Sequence, residues 1–315
     1  MNEKIAVLIP AYNEEVTITK VIKDFQQYLP EADIYVYDNN SKDKTNQLAT
    51  DAGAYVTFEP RQGKGNVVRS MFREIDADYY IMVDADDTYP ASEVDKLLQP
   101  LRQGRADMTI GDRLSNGTYS KENKRGFHDF GNNLVRNLIN HLYKGNYNDI
   151  MTGYRGFNRL FVKTFAVLSP GFEIETELSI HAMDKRFKLV EVPITYKDRP
   201  EGSESKLNTF SDGIKVLKMI FSLFKDYKPL QFFSIVSSVL LVLGLLVGFP
   251  VINEFAQTGM IDKLPSAVLA TGFVILSSLF FISGLILDTV VRQNRMNYEL
   301  KIYDYYRQVR DEKVL

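Results

Sequence analysis

Two long stretches without a charged side chain lie in the last third of this 315-residue chain. No Asp, Glu, Lys or Arg occurs at 229–253 or at 264–287. Because a helix needs about 20 apolar residues to cross the hydrocarbon core of a bilayer, each stretch is long enough to span it. Two buried helices of a soluble protein are the alternative, but the length and uniformity of both stretches favour a membrane. The sequence therefore predicts a two-helix transmembrane hairpin at 229–290.

The charges beside the two spans indicate their orientation. Lysines precede the first span and arginines follow the second, whereas the loop between them carries two acids and one lysine. Because positively charged flanks stay in the cytoplasm, both ends of the hairpin are predicted to face it. The N-terminus reaches charged residues and Pro10 too early for a signal peptide. We therefore predict a multi-pass inner (plasma) membrane protein whose N-terminal domain and both termini are cytoplasmic.

Helical patterns flank the hairpin on both sides. The segment 211–228 has lysines on one face and apolar residues at helical spacing on the other, namely Ile214, Leu217, Ile220, Phe221 and Phe224. It is predicted to be an amphipathic interfacial helix, with packing on the N-terminal domain as the alternative. Residues 291–315 are predicted to form a cytoplasmic C-terminal helix. Its face of Tyr298, Ile302, Tyr305 and Tyr306 would either mediate a homo-oligomer or pack on its own domain.

The composition excludes several kinds of site. A net charge of −2 gives no support to a nucleic-acid partner, which usually requires a strong basic excess. The absence of cysteine excludes disulfides and thiolate zinc sites. The three histidines form no pair with metal-ligand spacing, and His181, four residues after Glu177, is predicted to make a helix-surface contact with it.

The first 210 residues alternate strand-like and helix-like segments. Short segments rich in Val, Ile and Tyr are predicted as strands at 4–9, 34–37, 55–58, 79–83, 108–110 and 189–196. Helical stretches at 14–28 and 44–52 separate the early strands. This order predicts an α/β domain at 1–210 with a mostly parallel sheet. Ligands should then lie at the carboxyl ends of the strands, where Tyr12, Asp38 and Asp84 fall.

Three acids follow one of the predicted strands, in the segment YYIMVDADDTYP at 79–90. Asp84 and Asp86 are one residue apart, and Asp87 follows them directly. Acids this close repel one another unless a cation compensates them. Two such carboxylates can converge on a hard divalent cation that bridges the phosphates of a nucleotide. Oxygen ligands favour Mg²⁺ or Mn²⁺ over zinc, so a metal-diphosphate site is predicted here.

Six motifs, in this order along the chain, resemble those of glycosyltransferase family 2. They are LIPAYNEE at 8–15, YDNNSKDKT at 37–45, RQGKGNVVR at 61–69, DADD at 84–87, GDR at 111–113 and TYKDRPEGSESKL at 195–207. The resemblance is closest to polyisoprenyl-phosphate glycosyltransferases, including dolichyl-phosphate mannose synthases and bacterial undecaprenyl-phosphate glucosyltransferases. It covers about the first 210 residues and implies a GT-A-type domain that binds a nucleotide sugar.

The resemblance implies roles on the donor side of the site. Pro10, Tyr12, Glu14 and Asp38 would line the nucleoside, Lys64 would contact the diphosphate or sugar, and Asp86, Asp84 and Thr88 would hold the metal. Tyr37 replaces one of the usual two acids, so the resemblance does not identify the base of the nucleotide. Residues 39–45 have a simpler alternative as a turn and helix cap. The GKG sequence at 63–65 lacks the spacing of a Walker loop and would by itself be an ordinary turn.

On the acceptor side the resemblance implies cations that hold phosphate groups: Arg113, Arg125 and Arg199, with Ser203 and Lys206 in the following loop. Guanidinium suits phosphate oxygens, although each arginine has a solvated surface role as its alternative. Asp149 resembles a family acid near the reacting centre. Because a phosphate monoester is mostly dianionic at pH 7, an orienting role for Asp149 is favoured over a general base. A structural salt bridge is the remaining alternative.

The implied reaction is an inverting transfer from a nucleotide sugar, preferably UDP-linked glucose or a related hexose, to a polyprenyl phosphate such as undecaprenyl phosphate. Two alternatives remain. A processive polysaccharide synthase would carry a QxxRW motif, which a chain without tryptophan cannot form. An inactive nucleotide-sugar-binding membrane scaffold is disfavoured by the complete set of acids and cations.

Overall fold

The computed structural model describes residues 3–115, 126–143, 145–200, 218, 221–222, 224–260 and 262–312. The chain divides into two compact units. The first comprises Met1–Gly213 together with Asp304–Leu315, and the second is Ile214–Tyr303. The interfacial helix predicted at 211–228 lies largely outside the described residues.

A seven-stranded sheet forms the centre of the first unit, in the order β3-β2-β1-β4-β6-β5-β7. The strands are β1 Ile5–Ala11, β2 Ala32–Asp38, β3 Tyr55–Phe58, β4 Tyr79–Met82, β5 Met108–Asp112, β6 Arg155–Asn158 and β7 Leu189–Pro193. Strand β6 runs antiparallel to β4 and to β5, and the other neighbours are parallel. The predicted mostly parallel α/β sheet is confirmed.

Helices cover both faces of this sheet. They are α1 Ile18–Tyr28, α2 Thr45–Asp51, α3 Lys64–Glu74, α4 Val94–Arg102, α5 Gly126–Tyr143, α6 Arg159–Thr164 and α7 Ile174–Asp184. The alternation along β1 shows how the two faces are filled. Ile5, Val7 and Ile9 belong to one apolar cluster, while Ala6 and Leu8 belong to the other. Because successive side chains of a strand point to opposite faces, this central strand is buried on both sides.

Strand β6 was not predicted from the sequence. Its residues, RGFN, contain an arginine, a glycine and an asparagine and show no apolar alternation. Arg155 is nevertheless fully buried, and a Cβ at Gly156 would lie 2.8 Å from Leu101 Cδ1. Because β6 is antiparallel, its first residue lies at the edge where the parallel strands end. The segment 149–154 is thereby brought to that edge.

The start predicted for the first helix was wrong. Helix α1 begins at Ile18 rather than at residue 14. Asn13 has a φ of 52°, in the left-handed region, so the backbone turns before the helix begins.

Two long helices lie in the described part of the second unit: α8 Pro229–Thr258, and α9 Leu264–Glu312, whose residues from Asp304 onwards belong to the first unit. Both are long and apolar enough to cross a membrane, and only 17% and 11% of their most apolar windows are buried. The core helix of a soluble protein would be mostly buried. The helices contact each other through Ser277 Oγ, which donates to the Ser237 carbonyl at 2.9 Å. Helix α9 continues without a break past residue 290, where the sequence analysis placed the end of the hairpin.

Candidate active site

Acidic side chains gather at the carboxyl edge of the sheet. Asp38 is the last residue of β2, and Asp84 and Asp86 follow β4. Asp38 and Asp86 are both buried. Burial raises the pKa of Asp86, the neighbouring Asp84 charge raises it further, and Arg199 opposes both. A carboxylate in such surroundings gains from a cation placed beside it.

Lys64 lies between two of these acids. Its Nζ contacts Oδ1 of Asp84 and lies 2.6 Å from Oε1 of Glu175. The side chains of Lys64 and Glu175 are only 9% and 8% exposed. Burial alone would lower the pKa of Lys64, but the two carboxylates outweigh it and raise the pKa. The ammonium group is therefore retained, and Lys64 is not the surface lysine of an ordinary turn.

The glycines beside Lys64 allow its loop to approach the segment 169–171. Gly63 has a φ of 123°, which glycine adopts readily. A Cβ at Gly65 would lie 2.8 Å from the carbonyl carbon of Ser169. The amide of Gly65 donates to the carbonyl of Gly171 at 3.1 Å. This close packing fixes the backbone from which Lys64 reaches Asp84.

Asp86 is held by an arginine and a threonine. Arg199 Nη2 lies 2.6 Å from Asp86 Oδ2, and Nη1 of the same arginine lies 3.8 Å from Glu14 Oε1. The Thr88 hydroxyl donates to Asp86 Oδ1 at 2.7 Å. Thr88, predicted as a third metal ligand, is buried and fixes the orientation of the Asp86 carboxylate.

Arg113 forms a two-bond fork with Asp149. Nε donates to Oδ2 at 2.6 Å, and Nη2 donates to Oδ1 at 2.9 Å. Such parallel bonds fix the plane of a guanidinium group. Arg113 Nη1 also donates to the Tyr89 hydroxyl at 3.3 Å, which in turn accepts from the Gly153 amide at 3.2 Å. Both alternatives given for Asp149, an orienting role and a structural salt bridge, require this contact with Arg113.

Gly153 links this fork to Asp84. A Cβ at Gly153 would lie 2.7 Å from the carboxyl carbon of Asp84, so Asp84 packs directly against the glycine backbone. Arg155, two residues later, donates to the carbonyls of Ile150 and Thr152 at 2.7 and 2.9 Å. Burial lowers the pKa of Arg155 to about 10. This arginine shapes the 149–154 segment from within the core.

The predicted nucleoside-binding residues lie at the ends of β1 and β2. Pro10 is opposite Tyr37 in the parallel register, and Tyr12 follows directly after β1. The Glu14 amide donates to the Thr45 hydroxyl at 2.8 Å. Within the 39–45 segment the Ser41 amide donates to Asp38 Oδ1 at 3.1 Å, as in a turn, whereas Lys44 at the start of α2 makes no side-chain cap hydrogen bond.

Asn39 is a positioning residue that the sequence analysis did not assign. Its Nδ2 donates to the Arg61 carbonyl at 2.7 Å, and its Oδ1 accepts from the Gly63 amide at 2.6 Å. The end of β2 is thereby tied to the loop that carries Lys64. The sequence signal that could have indicated this role was an asparagine directly after a strand, and the structure shows that it is buried. Three predicted acceptor residues, Arg125, Ser203 and Lys206, lie outside the described residues.

The acids fit a divalent cation that arrives with a diphosphate. In the part of the chain that the structure describes, no three His, Cys, Asp or Glu side chains form a metal-binding group. Mg²⁺ is commonly held by one or two carboxylates and completed by substrate phosphates and water. Asp84 and Asp86 supply such a pair, and each already contacts a basic side chain, Lys64 or Arg199. The two acids are thus arranged to hold positive charge.

Comparison with known proteins identifies the family of this chain. The family model described as glycosyl transferase family 2 matches residues 6–165. The chain belongs to glycosyltransferase family 2. Among family 2 relatives, glycosyltransferase AglJ of Haloferax volcanii is 31% identical over 93% of this chain and 95% of its own length.

Two further relatives are named for lipid-linked acceptors. Dolichyl-phosphate hexose transferase of Haloferax volcanii is 28% identical, covering 69% of this chain and 92% of the relative. Undecaprenyl-phosphate mannosyltransferase of Micrococcus luteus is 26% identical, covering 65% of this chain and 88% of the relative.

The solved structures show the same fold. Glucosyl-3-phosphoglycerate synthase of Mycobacterium tuberculosis superposes with a TM-score of 0.57 at 21% identity, covering 71% of this chain and 80% of the synthase. The catalytic unit of this family 2 enzyme therefore has the predicted GT-A fold. The same synthase has been solved with Mn²⁺ and UDP-glucose, at a TM-score of 0.55.

Proposed function

We propose that this family 2 enzyme transfers a sugar from a nucleotide sugar to a polyprenyl phosphate at the membrane surface. The observation that carries the proposal is the meeting of Asp84 and Asp86 with Lys64 and Arg199 at one sheet edge. That edge offers acids for a metal and cations for phosphate groups. The relatives named for dolichyl and undecaprenyl phosphate support a lipid acceptor.

The donor half of the site is proposed to bind the nucleotide diphosphate. Asp84 and Asp86 would hold Mg²⁺ or Mn²⁺, which would stabilise the charge that develops on the departing diphosphate. Lys64, which contacts Asp84, would add a second positive charge to stabilise the diphosphate. The Mn²⁺ and UDP-glucose of the mycobacterial synthase support a UDP donor. Asp38 and Tyr12 would contact the nucleoside.

The acceptor half of the site is proposed to hold the lipid phosphate with Arg113 and Arg199, joined by Arg125, Ser203 and Lys206. Asp149 would keep the Arg113 guanidinium in the plane that receives phosphate oxygens. A phosphate monoester has a second pKa of about 6, so its attacking oxygen needs no general base at pH 7. In a single displacement, this oxygen would form the bond to the anomeric carbon as the bond to the nucleoside diphosphate breaks, which inverts the configuration at that carbon.

The two apolar helices are proposed to anchor the enzyme where its acceptor resides. A long isoprenoid chain stays in the bilayer, so an anchored enzyme meets the phosphate group at a raised effective concentration. Positive flanks and the acidic loop between the helices support a catalytic domain and termini on the cytoplasmic face of the plasma membrane.

The test uses the full chain in nanodiscs with labelled UDP-glucose, Mn²⁺ and undecaprenyl phosphate. Label that becomes extractable into organic solvent supports the proposal, and NMR of the product reads the anomeric inversion. Insoluble labelled polymer would instead support a processive synthase, and bound but unreacted donor would support a scaffold. A panel of UDP-glucose, UDP-galactose, UDP-N-acetylglucosamine and GDP-mannose identifies the donor.

Matched variants connect the product to the site. Asp86→Asn should abolish detectable transfer, because it removes a charge from the proposed metal site. Asp76→Asn is the control, since Asp76 is an exposed acid paired with Arg159 at 3.0 Å on the protein surface. Full transfer by Asp86→Asn with unchanged metal dependence would exclude a metal role for Asp86.

A further inference from the structure

Glu175 is a buried acid at the start of α7 that the proposed chemistry does not yet use. Its Oε1 lies 2.6 Å from Lys64 Nζ, and the same ammonium group also contacts Asp84. Lys64 is thus shared by two carboxylates, although it carries one charge. One carboxylate would suffice to neutralise it, so the second calls for an explanation.

The loop near Lys64 does not depend on Glu175. The close approach of Gly65 to Ser169 already fixes the loop against its neighbour. Glu177, two residues further along the helix, accepts from the amides of Leu168 and Ser169 at 3.0 and 2.8 Å. A buried ion pair is also weak evidence for a stabilising role, because desolvation offsets much of its attraction.

A divalent cation bound to Asp84 would change the electrostatic environment of the Lys64 ammonium group. The cation and the ammonium group would then compete for one carboxylate, and like charges at this range repel each other. Lys64 would have to withdraw from Asp84. Glu175 is the second acid that already contacts its ammonium group.

We propose that Glu175 is a positioning residue that retains Lys64 when a divalent cation occupies Asp84, and so keeps the ammonium group directed at the leaving diphosphate. This inference rests on the proposed function, because it assumes a metal at Asp84. Without Glu175, the ammonium group stays on Asp84 and opposes metal entry.

The test measures Mn²⁺ binding to the full chain in detergent by electron paramagnetic resonance, with no donor or acceptor present. Glu175→Gln should weaken Mn²⁺ binding about tenfold, the size of effect expected from losing one charge-assisted bond. Lys64→Met should tighten Mn²⁺ binding, because it removes the competing cation. In the Lys64→Met background, adding Glu175→Gln should leave the Mn²⁺ affinity nearly unchanged.

The double-variant comparison separates positioning from other roles. Equal weakening by Glu175→Gln in both backgrounds would mean that Glu175 attracts the metal directly, and the inference would be overturned. Glu175→Asp, which keeps the charge but shortens the side chain, should give an intermediate affinity and serves if Glu175→Gln does not fold. Asp184→Asn is the control, since it removes another buried acid of α7, one paired with Lys185.

The failure of this inference can be told apart from the failure of the proposed function. If the wild type binds Mn²⁺ and the effects of the two substitutions simply add, only the role of Glu175 is refuted. If the wild type does not bind Mn²⁺ even with UDP, the metal role of Asp84 and the inference fall together. If the Mn²⁺ affinities of the variants are as expected but no sugar is transferred to the lipid, only the proposed lipid acceptor is refuted.

Discussion

Asp149 uses both of its carboxylate oxygens on Arg113, so its proposed orienting role and that of a general base predict different effects of substitution. We expect Asp149→Asn to raise the KM for undecaprenyl phosphate about tenfold, because Arg113 loses one bond of its fork. The KM for the donor and the shape of the pH profile should stay the same. Initial rates at varied acceptor concentration and pH make the measurement.

A general base would behave differently under the same substitution. It would cost two to four orders of magnitude in kcat and would remove one limb of the pH profile. Arg113→Lys is the companion variant, since lysine keeps the charge but cannot form the planar fork. It should reproduce the acceptor KM effect of Asp149→Asn.

His181 should make the stability of the fold sensitive to acid. The imidazole packs among the rings of Phe161, Phe165 and Phe187, and burial lowers its pKa from 6.5 to about 3. Below pH 6.5 the unfolded chain binds a proton that the folded chain refuses, so stability falls as the pH decreases towards 3. Between pH 7 and 5 the loss should reach up to about 2 kcal/mol.

Urea denaturation of the full chain at pH 7 and pH 5 measures this loss. His181→Leu should remove most of the pH dependence, whereas the exposed His141→Leu should retain it. An unchanged pH dependence in His181→Leu would show that other groups cause it. The sequence analysis assigned His181 to a helix-surface contact with Glu177, because spacing along a helix does not show which face is buried.

Some of the candidate site residues could be predicted from the sequence and others could not, for a physical reason. Asp84 and Asp86 were found because acids that directly follow an apolar strand are costly without a compensating cation. Glu175 was missed because acids in the first turn of a helix are ordinary partners of the helix dipole. Only the fold brings it to Lys64, far away along the chain.

At the scale of elements, the fit between α3 and the segment 169–171 should be intolerant of any side chain. Gly65 and Gly272 both lie in helices, where alanine normally stabilises by up to about 1 kcal/mol. A Cβ added at Gly272 would meet no atom within 4 Å, whereas a Cβ added at Gly65 would meet the Ser169 backbone. Gly65→Ala should therefore destabilise by about 1 to 3 kcal/mol and weaken donor binding.

The same substitution at Gly272 is the matched control. It should leave donor binding unchanged and keep or slightly raise the thermal midpoint, which calorimetry of the full chain reads. Equal effects at both positions would show that helix propensity, rather than the Gly65 packing, decides the outcome.

Elements were predictable where their residues followed a simple period. The five parallel-sheet strands at the chain's start and centre alternate or are continuously apolar, and their positions were found to within a few residues. Strand β6 was not, because its burial depends on Arg155 finding backbone carbonyls inside the core. No local sequence pattern indicates that a buried arginine will find backbone carbonyls as hydrogen-bond partners.

At the scale of the whole molecule, the natural absence of cysteine permits a direct test of orientation. Single cysteines at Lys23 in α1, at Asp262 between the two apolar helices and at Glu299 late in α9 sample the proposed sides of the membrane. We expect a membrane-impermeant maleimide to label intact spheroplasts only through Asp262→Cys. Lys23→Cys and Glu299→Cys should react after permeabilisation.

The unmodified chain is the control for background labelling. Labelling of Lys23→Cys in intact spheroplasts would place the catalytic unit on the outer face and contradict the proposed orientation. Labelling of Glu299→Cys alone would indicate a single crossing.

The pairing of Lys64 with Asp84 and of Arg199 with Asp86 has a consequence for the life of the enzyme. Both acids are compensated by the chain's own side chains, so folding does not have to wait for an ion from solution. A newly made molecule can mature, insert and persist where divalent ions are scarce. If these acids hold the proposed metal, supply of the ion would govern when sugar is transferred, while the amount of folded enzyme would stay independent of it.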